Sequence, residues 1–87
     1  MHGIALNFQN EAKLLDDLSL LEKQGERERM AETCQRLGKL YQKDGRLEEA
    51  ENLYRRALML FEGLRERGKA AVIYRHLGLV YELYGDL

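Results

Sequence analysis

The chain contains few side chains that could carry out chemistry. Cys34 is its only cysteine, and His2 and His76 are its only histidines. A nucleophilic cysteine needs a nearby base, and none lies close to Cys34 in the sequence. A zinc site needs about four ligands at a recognisable spacing, which these residues do not supply. The sequence therefore predicts no catalytic residue, no metal site and no cofactor.

The carboxylates follow a helical charge pattern instead of forming pairs suited to acid–base catalysis. Glu32 precedes Arg36 by four residues, and Glu51 precedes Arg55 by the same step. Such pairs face each other on the surface of a helix and contribute about 0.2–0.5 kcal/mol each. No glycine-rich loop follows a strand, so a nucleotide-binding loop is not indicated. We therefore predict that the protein is not an enzyme.

Composition restricts the class of protein further. The chain has 87 residues, of which 33% are charged and 45% apolar, and its net charge is −1. This balance argues against nucleic-acid binding, which usually needs a basic excess, and it offers no polybasic signal for a membrane surface. No apolar run approaches the roughly 18 residues of a membrane span. With one cysteine and no secretory signal, we expect a cytoplasmic protein.

Apolar residues recur at three- and four-residue steps along most of the chain, which indicates amphipathic helices. The pattern predicts an all-α fold of four helices over residues 7–24, 26–43, 47–65 and 69–84. The chain contains no proline, so glycines must supply the breaks. We expect the turns at Gly25, at Asp44-Gly45 and at Gly68.

A motif recurs after forty residues. Leu37-Gly38-x-x-Tyr41 returns as Leu77-Gly78-x-x-Tyr81. Glycine inside a helix costs about 1 kcal/mol relative to alanine, so a glycine retained there suggests that a neighbouring helix backbone passes too close for a side chain. The small residues Ala50 and Ala57 on the third helix should then face this glycine. Tyr54, which lies between them in the sequence, should fill the wider space between the two helices. The second and third helices should form a tight antiparallel hairpin.

These residues resemble the tetratricopeptide repeat. The positions that carry the resemblance are Leu37, Gly38, Tyr41, Ala50, Tyr54 and Ala57. The period of forty residues resembles the long-helix variant of the family. Two departures are Cys34, where the family usually has a large aromatic residue, and Glu62, near the place of a closing proline. The resemblance implies helix hairpins stacked as a short right-handed α-solenoid.

On this interpretation the whole chain, 1–87, is one domain. Residues 1–25 would be a degenerate half repeat, 26–67 a complete repeat, and 68–87 the first half of a further repeat. The first helix is placed by matching Glu11-Ala12 to Glu49-Ala50.

The family usually binds peptides in a groove lined by the first helix of each repeat. We therefore expect a scaffold or adaptor that binds a protein or peptide. By position, the groove residues are Glu32, Gln35, Arg36, Lys39, Lys43, Val72, Arg75, His76, Leu79 and Glu82. Their cations could hold an acidic or C-terminal segment, although the family's carboxylate-clamping asparagines are lacking. The alternative is that these are simply solvated helix residues.

A second hypothesis is self-association. The fourth helix should pack one side on the third and leave its other side uncovered, and a large exposed apolar patch is unusual on a monomer. The residues expected on that side are Leu77, Val80, Tyr81 and Tyr84. The chain would then form a homo-oligomer, or it would be a fragment of a longer array.

Overall fold

Four helices make up the computed structural model, which describes residues 2–85 and the side chains from residue 10 onward. They are α1 (His2–Gln24), α2 (Arg27–Lys43), α3 (Leu47–Gly63) and α4 (Arg67–Gly85). No strand occurs within residues 2–85, and the predicted all-α fold is confirmed. The last two residues of the predicted half repeat 68–87 and the side chain of His2 lie outside the described residues.

Each of the first three helices is followed by a residue in the left-handed conformation, and these residues are Gly25 (φ 69°), Gly45 (φ 77°) and Arg65 (φ 60°). The prediction that Gly68 ends the third helix is wrong, since Gly68 lies inside α4. Arg65 takes the left-handed position although an L-residue pays about 1–2 kcal/mol for it. The glycine that would avoid this cost is three residues too late to close the turn.

The three turns repeat the same backbone hydrogen bond every twenty residues. The backbone amides of Glu26, Arg46 and Glu66 donate to the backbone carbonyls of Leu21, Tyr41 and Phe61, respectively, at 2.9–3.1 Å. This spacing places α1 forty residues before α3. The alignment of Glu11-Ala12 with Glu49-Ala50, which needs a shift of 38 residues, is therefore wrong. The turns set the register of the helices, and the similarity of the two Glu-Ala pairs is only local.

One apolar core runs through the four helices. The largest side chains that are fully buried in it are Tyr54, Phe61, Leu37, Ile73, Val80 and Cys34. Ala50 and Ala57 are also fully buried, as expected of the small positions on α3. Cys34 is confirmed as a small core residue.

Ion pairs join helices that are not consecutive. On α1, Glu11 pairs with Arg46, which directly precedes α3, and Glu22 pairs with Arg56 on α3. Lys69 on α4 pairs with Glu28 on α2. Consecutive helices also pack on one another. The described chain therefore has two layers, with α1 beside α3 and α2 beside α4, and this brings the two copies of the Leu-Gly-x-x-Tyr motif side by side.

The close approach at Gly38 involves a side chain. A Cβ atom at Gly38 would lie 2.7 and 2.8 Å from ring carbons of Tyr54. The expectation that a helix backbone excludes a side chain here is therefore corrected: the tyrosine ring occupies the space. Gly78 holds the same place in the motif, but a Cβ atom there would meet nothing within 4 Å. The two glycines thus have opposite surroundings.

Candidate interaction surface

A groove of about 310 Å³ separates α2 from α4. The residues that line it are Lys39, Gln42, Lys43, His76, Leu79 and Leu83. Four of them, Lys39, Lys43, His76 and Leu79, are among the groove residues predicted from the sequence. These side chains come together because α2 and α4 are neighbours in one layer. The lining combines two lysines with two leucines, and it contains no carboxylate.

The buried side chain of Tyr54 contacts one lining residue from each wall of this groove. Its ring stacks on the ring of His76 with centroids 5.1 Å apart and planes 6° apart. Its hydroxyl donates a hydrogen bond of 2.8 Å to Oε1 of Gln42. Since the Gln42 carbonyl accepts this bond, its amide N–H groups are left as donors. One buried tyrosine therefore orients a residue from each wall of the groove.

The electrostatics of the groove favour an anion. Burial lowers the pKa of His76, and the nearby charges of Lys39 and Arg75 lower it further. His76 is therefore mainly neutral near pH 7, and positive charge comes from Lys39 and Lys43. A carboxylate in the groove would meet these cations and the N–H groups of His76 and Gln42.

Two other groove candidates on α2, Glu32 and Arg36, line clefts between α2 and α1. Arg36 lines a cleft of about 350 Å³, together with Lys39 and Lys43 on α2 and four residues of α1: Asn10, Lys13, Leu14 and Asp17. Glu32 and Arg36 line a third cleft, of about 500 Å³, nearer the start of α2. The Nζ atom of Lys69 lies 3.8 Å from a Glu32 carboxylate oxygen. Lys39 and Lys43 therefore border both the cleft toward α1 and the groove toward α4, whereas Arg36 borders only clefts toward α1.

Besides Glu32 and Arg36, four further candidates do not line the groove between α2 and α4. Gln35 and Val72 are half-buried, whereas Arg75 and Glu82 are exposed. Helical geometry places Arg75 and Glu82 on the side of α4 that also carries Gly78, about 100° or more from His76. The α4 residues predicted for one groove therefore lie on two different sides of the helix.

The residues predicted for self-association also separate. Leu77 and Val80 are buried against α3, so the expectation that they lie on the uncovered side of α4 is wrong. They follow Ala70 and Ile73 on the face that packs on α3. Tyr81 is exposed and Tyr84 is half-buried. The hydroxyl groups of both tyrosines donate hydrogen bonds to the Glu51 carboxylate, and Arg55 donates to Tyr81 at 2.5 Å.

Sequence reasoning missed Gln42 and Leu83 in the groove. Leu83 follows His76 by seven residues and Leu79 by four, so a helical wheel centred on His76 would have found it. The side chain of Gln42 had no comparable signal, since its role depends on the hydroxyl of Tyr54.

The one cysteine has the properties of a structural residue. Cys34 is fully buried, and burial raises the pKa of its thiol to about 11. A thiol of this kind is a poor nucleophile at neutral pH. Among the residues that the structure describes, no cluster of three or more His, Cys, Asp or Glu side chains could hold a metal ion. The helices of the described region also lack any segment long and apolar enough to cross a membrane.

Stacked helix hairpins with a groove between alternate helices define an all-α helical repeat. The chain belongs to the tetratricopeptide repeat family, whose family model matches residues 26–87. Repeats of this family generally mediate protein–protein interaction. No curated protein and no solved structure matches the chain.

Proposed function

We propose that the groove between α2 and α4 binds a short protein segment that carries a carboxylate next to an apolar side chain. The observation that carries this proposal is the groove lining. Lys39 and Lys43 supply positive charge on one wall, Leu79 and Leu83 supply apolar surface on the other, and no lining residue is acidic. The protein would act as a scaffold or adaptor without chemistry of its own.

The carboxylate is the most specific part of this proposed ligand. Two lysines and the amide of Gln42 present only donors, so an anionic acceptor satisfies them and a cation is repelled. A C-terminal carboxylate and an acidic side chain share this chemistry. The leucines at the other wall would contact one apolar residue of the segment, since a groove of about 310 Å³ is too small for an entire folded partner.

The test is selection from a library of random peptides displayed with free C-termini, followed by affinity measurement on synthetic peptides. Acidic and apolar residues should be enriched together. A matched pair with a free and an amidated C-terminus shows which carboxylate is used.

Charge reversal supplies the control. Lys39→Glu and Lys43→Glu should each weaken binding by about 1–2 kcal/mol, because a repulsive carboxylate replaces an attractive cation. Lys23→Glu, an exposed site at the end of α1, should change the affinity little. Enrichment of basic peptides, or equal loss of affinity in all three variants, would contradict the groove assignment.

A further inference from the structure

Within residues 2–85, no helix covers the outer side of α4, although the same side of α2 is fully packed. The four α2 positions and their α4 counterparts forty residues later are Ala31 and Ala71, Cys34 and Tyr74, Gly38 and Gly78, and Tyr41 and Tyr81. All four α2 residues are buried, whereas all four α4 residues are exposed. We call Ala71, Tyr74, Gly78 and Tyr81 the outer face of α4.

The outer face has a smooth centre and two different flanks. On a helix with 3.6 residues per turn, Ala71, Gly78 and Gly85 lie within about 40° of one another. Tyr74 and Tyr81 form one flank. The other flank carries the exposed Arg75 and Glu82, which have opposite charges. Because a Cβ atom at Gly78 would meet nothing within 4 Å, a second helix can approach closely at the centre.

We propose that this face binds a second copy of the chain, with the two α4 helices antiparallel and crossing at Gly78. The argument is charge complementarity under a twofold axis. Along the helix, Arg75 lies about 4.5 Å to one side of Gly78 and Glu82 about 6 Å to the other. A twofold axis through the crossing point therefore places Arg75 opposite Glu82 of the partner subunit, and it does so twice.

The same axis makes the tyrosine flank complementary. Tyr74 of one copy meets Tyr81 of the partner subunit, and aromatic pairs of this kind favour association beyond the area that they bury. A parallel twofold arrangement would instead place the charged flank of one copy against the tyrosine flank of its partner, so that neither the charge pairs nor the tyrosine pairs would form. α3 does not occupy the centre of the outer face, because it packs on the side of α4 that carries Ile73, Leu77 and Val80, about 100–160° around the helix from Gly78.

Hydrogen bonds to carboxylates on α3 fix the orientation of the Tyr74 and Tyr81 rings on this flank. Tyr74 donates to the Glu62 carboxylate at 3.0 Å, and Tyr81 donates to Glu51 at 2.9 Å. Both rings are therefore held against α3 while still exposed, at 54% and 44% of their surface. A surface that is ordered before association loses less conformational entropy when it binds.

The experiment is sedimentation velocity with light scattering on the whole chain, from low micromolar to millimolar concentration. The mass should rise from 10.2 kDa toward twice that value. Gly78→Gln should raise the dissociation constant about tenfold or more, since a long side chain then separates the helices. The variant keeps its fold, because Gly78 faces open space and glutamine favours a helix more than glycine. Gly63→Gln, at a second uncrowded helical glycine, should dimerise like the parent protein.

Charge exchange tests the antiparallel register. Arg75→Glu and Glu82→Arg should each remain monomeric alone, because each creates like charges across the axis. An equimolar mixture of the two should form a heterodimer, and the chain that carries both substitutions should dimerise again. A parent chain that stays monomeric throughout overturns the proposal and leaves the outer face to a helix from another sequence. Dimerisation of Gly78→Gln, or no dimer in the mixture, also overturns it. These readouts need no peptide, so they are independent of the groove.

Discussion

Replacing Gly38 and Gly78 by alanine should change the stability in opposite directions, although the two glycines occupy the same position of the same motif. Each replacement removes the cost of a helical glycine, which is about 1 kcal/mol. Only at Gly38 does the new Cβ atom collide, at 2.7 and 2.8 Å from the ring of Tyr54.

The size of the stability loss in Gly38→Ala depends on whether the Tyr54 ring can move away from the new Cβ atom. It is fully buried, it stacks on His76, and its hydroxyl is bonded to Gln42. A ring held in this way cannot yield without losing one of these contacts, so the collision should cost about 3 kcal/mol, the upper part of the range for overpacking. Subtracting the gain in helix propensity leaves a net loss of about 2 kcal/mol for Gly38→Ala.

The assay is thermal and urea unfolding followed by circular dichroism, at low micromolar concentration so that self-association does not contribute. Gly38→Ala should lower the melting temperature by about 10 °C, whereas Gly78→Ala should raise it by about 4–8 °C. A Gly38→Ala variant as stable as the parent would refute the reasoning, because it would mean that the Tyr54 ring moves freely. Equal shifts in both variants would show that the two glycines are not distinguished by their surroundings.

Two further predictions concern titration and thiol reactivity. Because folding lowers the pKa of His76, the unfolded chain binds more protons, so acidification from pH 7 through the unfolded pKa near 6.5 should destabilise the fold; His76→Gln should reduce this slope in urea titrations. Cys34 should be alkylated by iodoacetamide only through unfolding, since burial raises its pKa to about 11, and the labelling rate should rise with urea as the unfolded fraction does. Rapid labelling of the native protein would contradict its burial.

The sequence was sufficient for the helices and for most of the hairpin. The periodic apolar pattern locates four helices, and the motif residues Leu37, Ala50 and Tyr54 lie in the core as expected. Turn positions were less predictable. Gly25 and Gly45 close their turns, but Arg65 closes the third, because the spacing of the helices fixes which residue must take a left-handed conformation.

The candidate surfaces needed the structure. The sequence could name residues on the exposed parts of α2 and α4, but it could not divide them between the two sides of a helix. Lys39 and His76 meet across a groove because their helices lie in one layer. Arg75 is next to His76 in the chain and yet lies on another face of α4, outside this groove.

What the sequence determined by itself is the local order: an amphipathic period, small residues at fixed places, and a motif repeated after forty residues. These follow from interactions within a helix or a hairpin. Only the tertiary structure decided what each copy of the motif contacts. Gly38 lies beneath Tyr54 while Gly78 is open, because α3 covers the side of α2 that remains uncovered on α4. Identical residues thus acquire opposite roles from their neighbours, and neighbours depend on packing between distant parts of the chain.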